Sequence, residues 1–105
     1  MSIEIEPGSE PTDRYILTLY VAGQTPKSLS ALTNLRKICE DYLQGRYTLD
    51  VIDVTKHPEV AIEHQILALP TLVRKIPTPL RKLIGDLSNT EKALIAMDIR
   101  SVSPS

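Results

Sequence analysis

Apolar and β-branched residues fill the segment Tyr15–Val21 almost without interruption. Such a run predicts a strand covered on both faces, and therefore a central strand of a sheet. Apolar residues then recur at helical spacing over 31–42, after Thr25 as the N-cap and Pro26 in the first helical turn. Alternating apolar and polar residues predict a second strand over Tyr47–Val54. Strand, helix and strand with short links form a right-handed βαβ unit with parallel strands.

The pattern changes in the second half of the chain. A short helix is predicted from residue 58 to about residue 66, followed by strands over 71–76 and 80–84. Pro70 precedes the first of these strands. Because proline cannot donate a hydrogen bond to a neighbouring strand, it is placed at the first residue of a strand or at an edge.

A last helix follows a capping-box pattern, in which Ser88 stands three residues before Glu91. Ala93, Leu94 and Met97 have the spacing of its inward face. The complete order, β-α-β-α-β-β-α, predicts an α/β thioredoxin-like sandwich. In that fold the proline before the third strand usually follows a cis peptide bond, which makes Pro70 the candidate structural cis-proline.

The cysteine content argues against redox chemistry. A thioredoxin-like enzyme carries Cys-x-x-Cys between its first strand and first helix, and this chain has Gly23–Ser28 there. The single cysteine, Cys39, lies on the apolar face of the first helix, where a cysteine usually acts as a small core residue. We therefore expect a binding protein rather than an enzyme, without a cofactor.

Charge is distributed unevenly along the 105 residues. Residues 1–13 contain four acidic and no basic residues, so the formal net charge of −1 divides into −4 on this segment and +3 on the rest of the chain. We expect a flexible acidic arm over 1–13, one domain over 14–99 and a flexible tail over 100–105. The charge gives no case for nucleic-acid binding, and no apolar run suits a membrane span or a secretory signal, which predicts a cytoplasmic protein.

Two further groups of residues leave alternatives open. His57 and His64 suggest a metal site only if other ligands converge on them, and surface or capping histidines fit the pattern as well. Four basic residues flank the bend at Pro77 and Pro79: Arg74, Lys75, Arg81 and Lys82. They could form a basic patch that receives an acidic partner or the chain's own arm, and a solvated hairpin would show the same pattern.

Several ordered motifs resemble one family across residues 15–99. They are Tyr15–Ser28, Val51–Val54, Ile66–Leu72 and Ile84–Ser88. In this spacing they are similar to the circadian clock protein family KaiB. The resemblance implies a non-enzymatic partner of KaiC, the hexameric clock ATPase, with KaiA or a sensor histidine kinase as further candidate partners.

The resemblance also implies fold switching between a thioredoxin-like form, which binds KaiC, and a rearranged tetramer with a C-terminal strand. Clock members usually have Ile-Gly-Leu-Asp where this chain has Ile95–Asp98. Alanine favours a helix interior by about 1 kcal/mol over glycine, so Ala96 predicts the thioredoxin-like form. The candidate fold-switch residues are Gly85, Asp86, Ala96 and Asp98. The oligomeric state, monomer, dimer or tetramer, stays open.

The docking surface implied by the resemblance includes Ser30, Tyr47, Thr48 and Asp50. Clock members usually carry basic residues where this chain has Ser30 and Asp50, and a reversed charge favours a different partner. The chain therefore fits either a circadian clock or a clock-derived stress or environmental response. The alternatives are a thiol-disulfide or glutathione-dependent enzyme, and a detached sensory domain like the KaiB-like input domain of certain histidine kinases.

Overall fold

A computed structural model describes residues 14–99, so the arm predicted for 1–13 and the tail predicted for 100–105 lie outside the described residues. The elements in this range follow the predicted order and confirm the thioredoxin-like α/β sandwich. They are β1 Tyr15–Val21, α1 Pro26–Tyr42, β2 Tyr47–Asp53, α2 Pro58–Glu63, β3 Thr71–Ile76, β4 Arg81–Ile84 and α3 Thr90–Ala96.

The four strands form one sheet in the order β2-β1-β3-β4. β1 pairs in parallel with β2 and antiparallel with β3, and β3 pairs antiparallel with β4. β1 is therefore central, as its apolar run predicted, and β2 and β4 are the edges.

Each face of the sheet has its own apolar cluster. Leu17 and Leu19 of β1 pack with Leu35 of α1 and Met97 after α3. On the opposite face, the smaller cluster beside α2 consists of Tyr20, Val54, Ile66 and Val73. Because α2 has only 6 residues, it covers part of this face and leaves apolar side chains exposed towards β4.

Four predicted boundaries were wrong, and one of them is the end of β2, which lies at Asp53 rather than at Val54. α2 ends at Glu63 rather than near Ile66, because Gln65 adopts a positive φ of 56° and Ile66 then packs into the core from a loop. β4 begins at Arg81 rather than one residue earlier. Asn89, not Ser88, caps α3: its side-chain oxygen accepts a hydrogen bond from the backbone N–H of Lys92 at 3.0 Å.

Candidate functional site

The turn between β1 and α1 is held by hydrogen bonds from its own side chains. Thr25 is the N-cap of α1, and its hydroxyl accepts a hydrogen bond from the N–H of Ser28 at 3.4 Å. The Ser28 hydroxyl, itself buried, accepts one from the N–H of Ala22 at 3.0 Å. Asp53 accepts another from the N–H of Gly23 at 3.0 Å. At the turn where this fold can carry a redox dithiol, the hydroxyls therefore fix the start of the helix.

Pro70 lies beside this turn. Tyr20 pairs with Thr71, so the residue before β3 is adjacent to the end of β1. The Leu69–Pro70 peptide bond is cis, and Pro70 is fully buried. Its carbonyl accepts a hydrogen bond from the N–H of Gly85 at 3.0 Å, which connects the start of β3 to the end of β4.

Cys39 lies far from the turn. Its side chain is fully buried in the larger cluster, and burial raises the pKa of its thiol to about 12, with Glu40 adding to the shift. It follows Thr25 by 14 residues, which corresponds to about 21 Å along a helix. At neutral pH the thiol is protonated and inaccessible, and both properties oppose nucleophilic reactivity.

The four predicted docking residues do not form one face. The Tyr47 hydroxyl donates to Glu40 at 3.0 Å, a hydrogen bond that raises the pKa of Tyr47 and turns its ring towards α1. Thr48 and Asp50 point to the opposite face of β2 because strand side chains alternate, and both are exposed. Ser30, also exposed, precedes Glu40 by ten residues, or about 15 Å along α1. The structure thus brings Thr48 and Asp50 together on an edge strand and separates Ser30 from them.

The candidate fold-switch residues lie on both sides of α3. Gly85 has a φ of 129° and Asp98 a φ of 51°, so the backbone bends at each of them. The Asp86 carbonyl accepts a hydrogen bond from the Asn34 side chain at 2.7 Å, which attaches this loop to α1. Ala96 is the last residue of α3, not an interior one, so the penalty for interior glycine is an upper limit there.

Arg74 lies in the core, contrary to the prediction from the sequence. It does not belong to an exposed basic patch, because its side chain is only 1% exposed. One guanidinium nitrogen donates to the carbonyl of Met97 at 2.5 Å, and another donates to that of Pro79 at 2.8 Å. Arg74 therefore ties β3 to the end of α3 and to the β3–β4 loop. Its burial could have been predicted from strand alternation, which places Arg74 on the same face of β3 as buried Leu72.

The histidines lie at opposite ends of α2. His57 is the residue before the helix and His64 the residue after it, and each has a neighbouring glutamate at 3.9 Å. Within residues 14–99 no group of three or more His, Cys, Asp or Glu side chains is arranged to hold a metal ion.

A family model described as the KaiB domain matches residues 18–99. The chain belongs to the KaiB family. The circadian clock oscillator protein KaiB of Microcystis aeruginosa is 55% identical over 85 residues, which is 81% of this chain and 82% of that protein. The protein of the same name from Synechococcus elongatus is 54% identical over 89 residues, covering 85% and 87%.

Solved structures place this KaiB-family chain in the thioredoxin-like fold. Chloroplastic thioredoxin z matches with a TM-score of 0.67 and 22% identity, over 82% of this chain and 78% of that one. The N-terminal domain of SasA from Synechococcus elongatus matches with a TM-score of 0.67 and 20% identity, over 88% and 87%. At this level of identity the likeness concerns the fold alone.

Proposed function

We propose that this chain is a non-catalytic regulator that binds a KaiC-type ATPase, in a circadian clock or in a clock-derived stress or environmental response. The observation that carries the proposal is a KaiB-family chain folded in the thioredoxin-like form, with hydroxyls in the β1–α1 turn and its single cysteine buried. A thioredoxin-like scaffold without a reactive thiol can still present a binding surface. KaiA and a sensor histidine kinase are further candidate partners.

The β2 edge is the best candidate for the docking surface. In the sheet formed by residues 14–99, β2 pairs with β1 alone, so its outer backbone groups are open to pair with another chain. Thr48 and Asp50 are exposed on this strand, and Tyr47 lies at its start. In this proposal Ser30 belongs to a second contact on α1 rather than to the same patch.

We propose further that the thioredoxin-like form is the resting form. α3 packs through Ala93 against the larger cluster, and Arg74 holds the backbone that follows the helix. A rearrangement that turned 89–98 into a strand would lose both sets of contacts. Size-exclusion chromatography with light scattering distinguishes this form from the rearranged tetramer, and a strand over 89–98 in an NMR structure would refute the proposal.

A mixing experiment tests the main proposal. The purified chain is combined with a KaiC homologue from the same genome in ATP, and complex formation is measured by native gel and light scattering, with ADP as the parallel condition. A complex whose formation depends on nucleotide supports the proposal. Absence of any complex in either nucleotide contradicts it.

Two charge reversals locate the surface. Asp50→Lys changes the β2 edge, and Glu91→Lys makes the same charge change on α3, which packs near the opposite edge. We expect Asp50→Lys to weaken binding to the cognate ATPase about tenfold and to strengthen binding to a cyanobacterial clock KaiC, because interface charges select partners. Glu91→Lys should leave both affinities unchanged. Equal effects of the two variants would place the interface elsewhere.

The alternative function is a thiol-disulfide or glutathione-dependent enzyme, which the fold alone permits. Insulin reduction and glutathione-transfer assays test it directly, and we expect no turnover because burial protects Cys39. Turnover that is lost in Cys39→Ser would favour the enzyme. We also propose a cytoplasmic location; within the described range no helix has the length and apolar character needed to cross a bilayer.

A further inference from the structure

The β4 edge carries an apolar groove with a basic border. A groove of about 360 Å³ lies between the loop after α2 and β4, and its lining includes Ile66, Leu67, Lys82 and Ile84. Leu67 is 93% exposed and Ile84 is 60% exposed, although both are large apolar residues. Among the described residues β4 pairs with β3 alone, and an exposed apolar patch beside such an open strand edge is a typical interaction surface.

The two charged residues of β4, Arg81 and Lys82, are both basic, and Lys75 adds a third basic residue near the end of β3, whereas Glu63 lines the neighbouring pocket. Among residues 14–99 none of the three basic residues lies within 4.0 Å of a carboxylate. Lys82 donates instead to the backbone carbonyls of His64 and Gln65, at 3.0 and 3.4 Å. The groove therefore fits an acidic strand that also carries apolar side chains.

Residues 2–6 have this pattern. In Ser2-Ile3-Glu4-Ile5-Glu6, isoleucine alternates with a polar or acidic residue, the period of a strand with one apolar face. The β4 edge of a second copy fits this edge less well, because β4–β4 pairing would place Arg81 and Lys82 of both copies side by side, and like charges opposite each other repel. The family model begins at residue 18, so this segment lies outside the part of the chain that the model matches.

The chain between this segment and the sheet is long enough. Ile16 pairs with Ile76, so the chain enters β1 at the end of the sheet where β4 begins. The position beyond β4 lies three strand spacings from β1, or about 14 Å, and residues 7–13 can span about 23 Å. Followed from β1 back towards the N-terminus, the chain meets Arg81 first and Ile84 last. Residues 2–6 would therefore run antiparallel to β4.

We propose that residues 2–6 add to the β4 edge as a fifth, antiparallel strand of the same chain. Ile3 and Ile5 enter the groove beside Ile84 and Leu67, and Glu6 lies opposite Arg81. The acidic arm thereby covers the apolar patch and closes the open edge, independently of any KaiC-type partner.

Amide hydrogen exchange of the full chain, followed by NMR at low salt, tests this proposal. In the register with Glu6 opposite Arg81, the N–H groups of Ile3 and Ile5 face β4 and those of Glu4 and Glu6 face solvent. We expect the N–H groups of Ile3 and Ile5 to exchange at least about tenfold more slowly than in an unstructured peptide. Glu4→Lys with Glu6→Lys should remove this protection. Glu10→Lys with Asp13→Lys makes the same change in net charge within the connecting segment and should preserve it.

Further outcomes distinguish the occupant. Protection that is unchanged on tenfold dilution supports pairing within one chain, whereas protection lost on dilution assigns the groove to another copy's arm and overturns the proposal. Unprotected amides at both Ile3 and Ile5 in the unmodified chain also overturn it. Arg81→Glu should weaken the protection, and combining it with Glu6→Arg should restore it.

Discussion

Replacing Arg74 tests whether a buried cation holds α3 in place. Its guanidinium donates short hydrogen bonds to the carbonyl of Met97, just after α3, at 2.5 Å and to that of Pro79, in the β3–β4 loop, at 2.8 Å. A longer hydrogen bond of 3.4 Å reaches the carbonyl of Asp98. We choose Arg74→Met, because methionine is of similar length and apolar, so that the change removes the donors and leaves most of the packing.

The expected loss follows from these bonds. A hydrogen bond to a charged group contributes about 1.5–3 kcal/mol, so the two short bonds together contribute about 3–6 kcal/mol. The desolvation cost of burying a guanidinium offsets part of this, since methionine does not bear it. We therefore expect Arg74→Met to lower the free energy of unfolding by about 3 kcal/mol.

Urea unfolding followed by far-ultraviolet circular dichroism measures this loss. Arg36→Met is the matched control, because Arg36 is exposed on α1 and methionine is a good helix former. This control should change the free energy of unfolding by no more than about 0.5 kcal/mol. Hydrogen exchange should show α3 amides accelerated more than those of β1. A loss below about 1 kcal/mol for Arg74→Met, or α3 protection equal to the unmodified chain, would refute the reasoning.

Three further predictions concern single residues. The Cys39 thiol should resist Ellman's reagent until urea unfolds the chain, whereas the exposed thiol of Ser30→Cys in a Cys39→Ala background should react at once. Because folding raises the pKa of Cys39 from 9.0 to about 12, the free energy of unfolding should also fall as the pH rises through this interval. Asp53, whose pKa is lowered chiefly by the Thr55 hydroxyl and also by backbone N–H groups, should contribute stability above pH 3.8 that is lost as pH falls through its folded pKa, and Asp53→Asn should flatten this acid limb in pH-dependent thermal melts. Ala96→Gly should shift the equilibrium towards the rearranged form by at most about 1 kcal/mol, or about fivefold, as measured from slow-exchange NMR peak ratios.

Elements specified by neighbouring residues were predictable from the sequence. β1 was predicted with its observed bounds because an unbroken apolar run already requires cover on both faces. The start of α1 was predicted equally well, because Thr25 and Pro26 act on backbone groups within one turn. In both cases the determining interactions lie inside the segment itself.

The errors arise where distant groups decide. Arg74 is buried because carbonyls 5 and 23 residues away accept its hydrogen bonds, and no local pattern reveals those acceptors. Ile66 has helical spacing after Pro58, but it packs from a loop in one buried cluster with Tyr20 and Val73 of the sheet. The predicted docking surface shows the same limit. Ser30 and Asp50 were assigned to one surface by the same charge argument, but they lie on different elements, α1 and β2.

The two edges of the sheet explain why one small scaffold can have separate binding surfaces. β2 exposes Asp50 and β4 exposes Arg81 and Lys82, so the open edges differ in charge. Edges of opposite sign would attract each other between copies, and such a head-to-tail contact does not close upon itself. An acidic arm along β4 would remove one partner of that contact and leave β2 free. On this view the arm keeps the docking edge available by preventing the chain from binding itself.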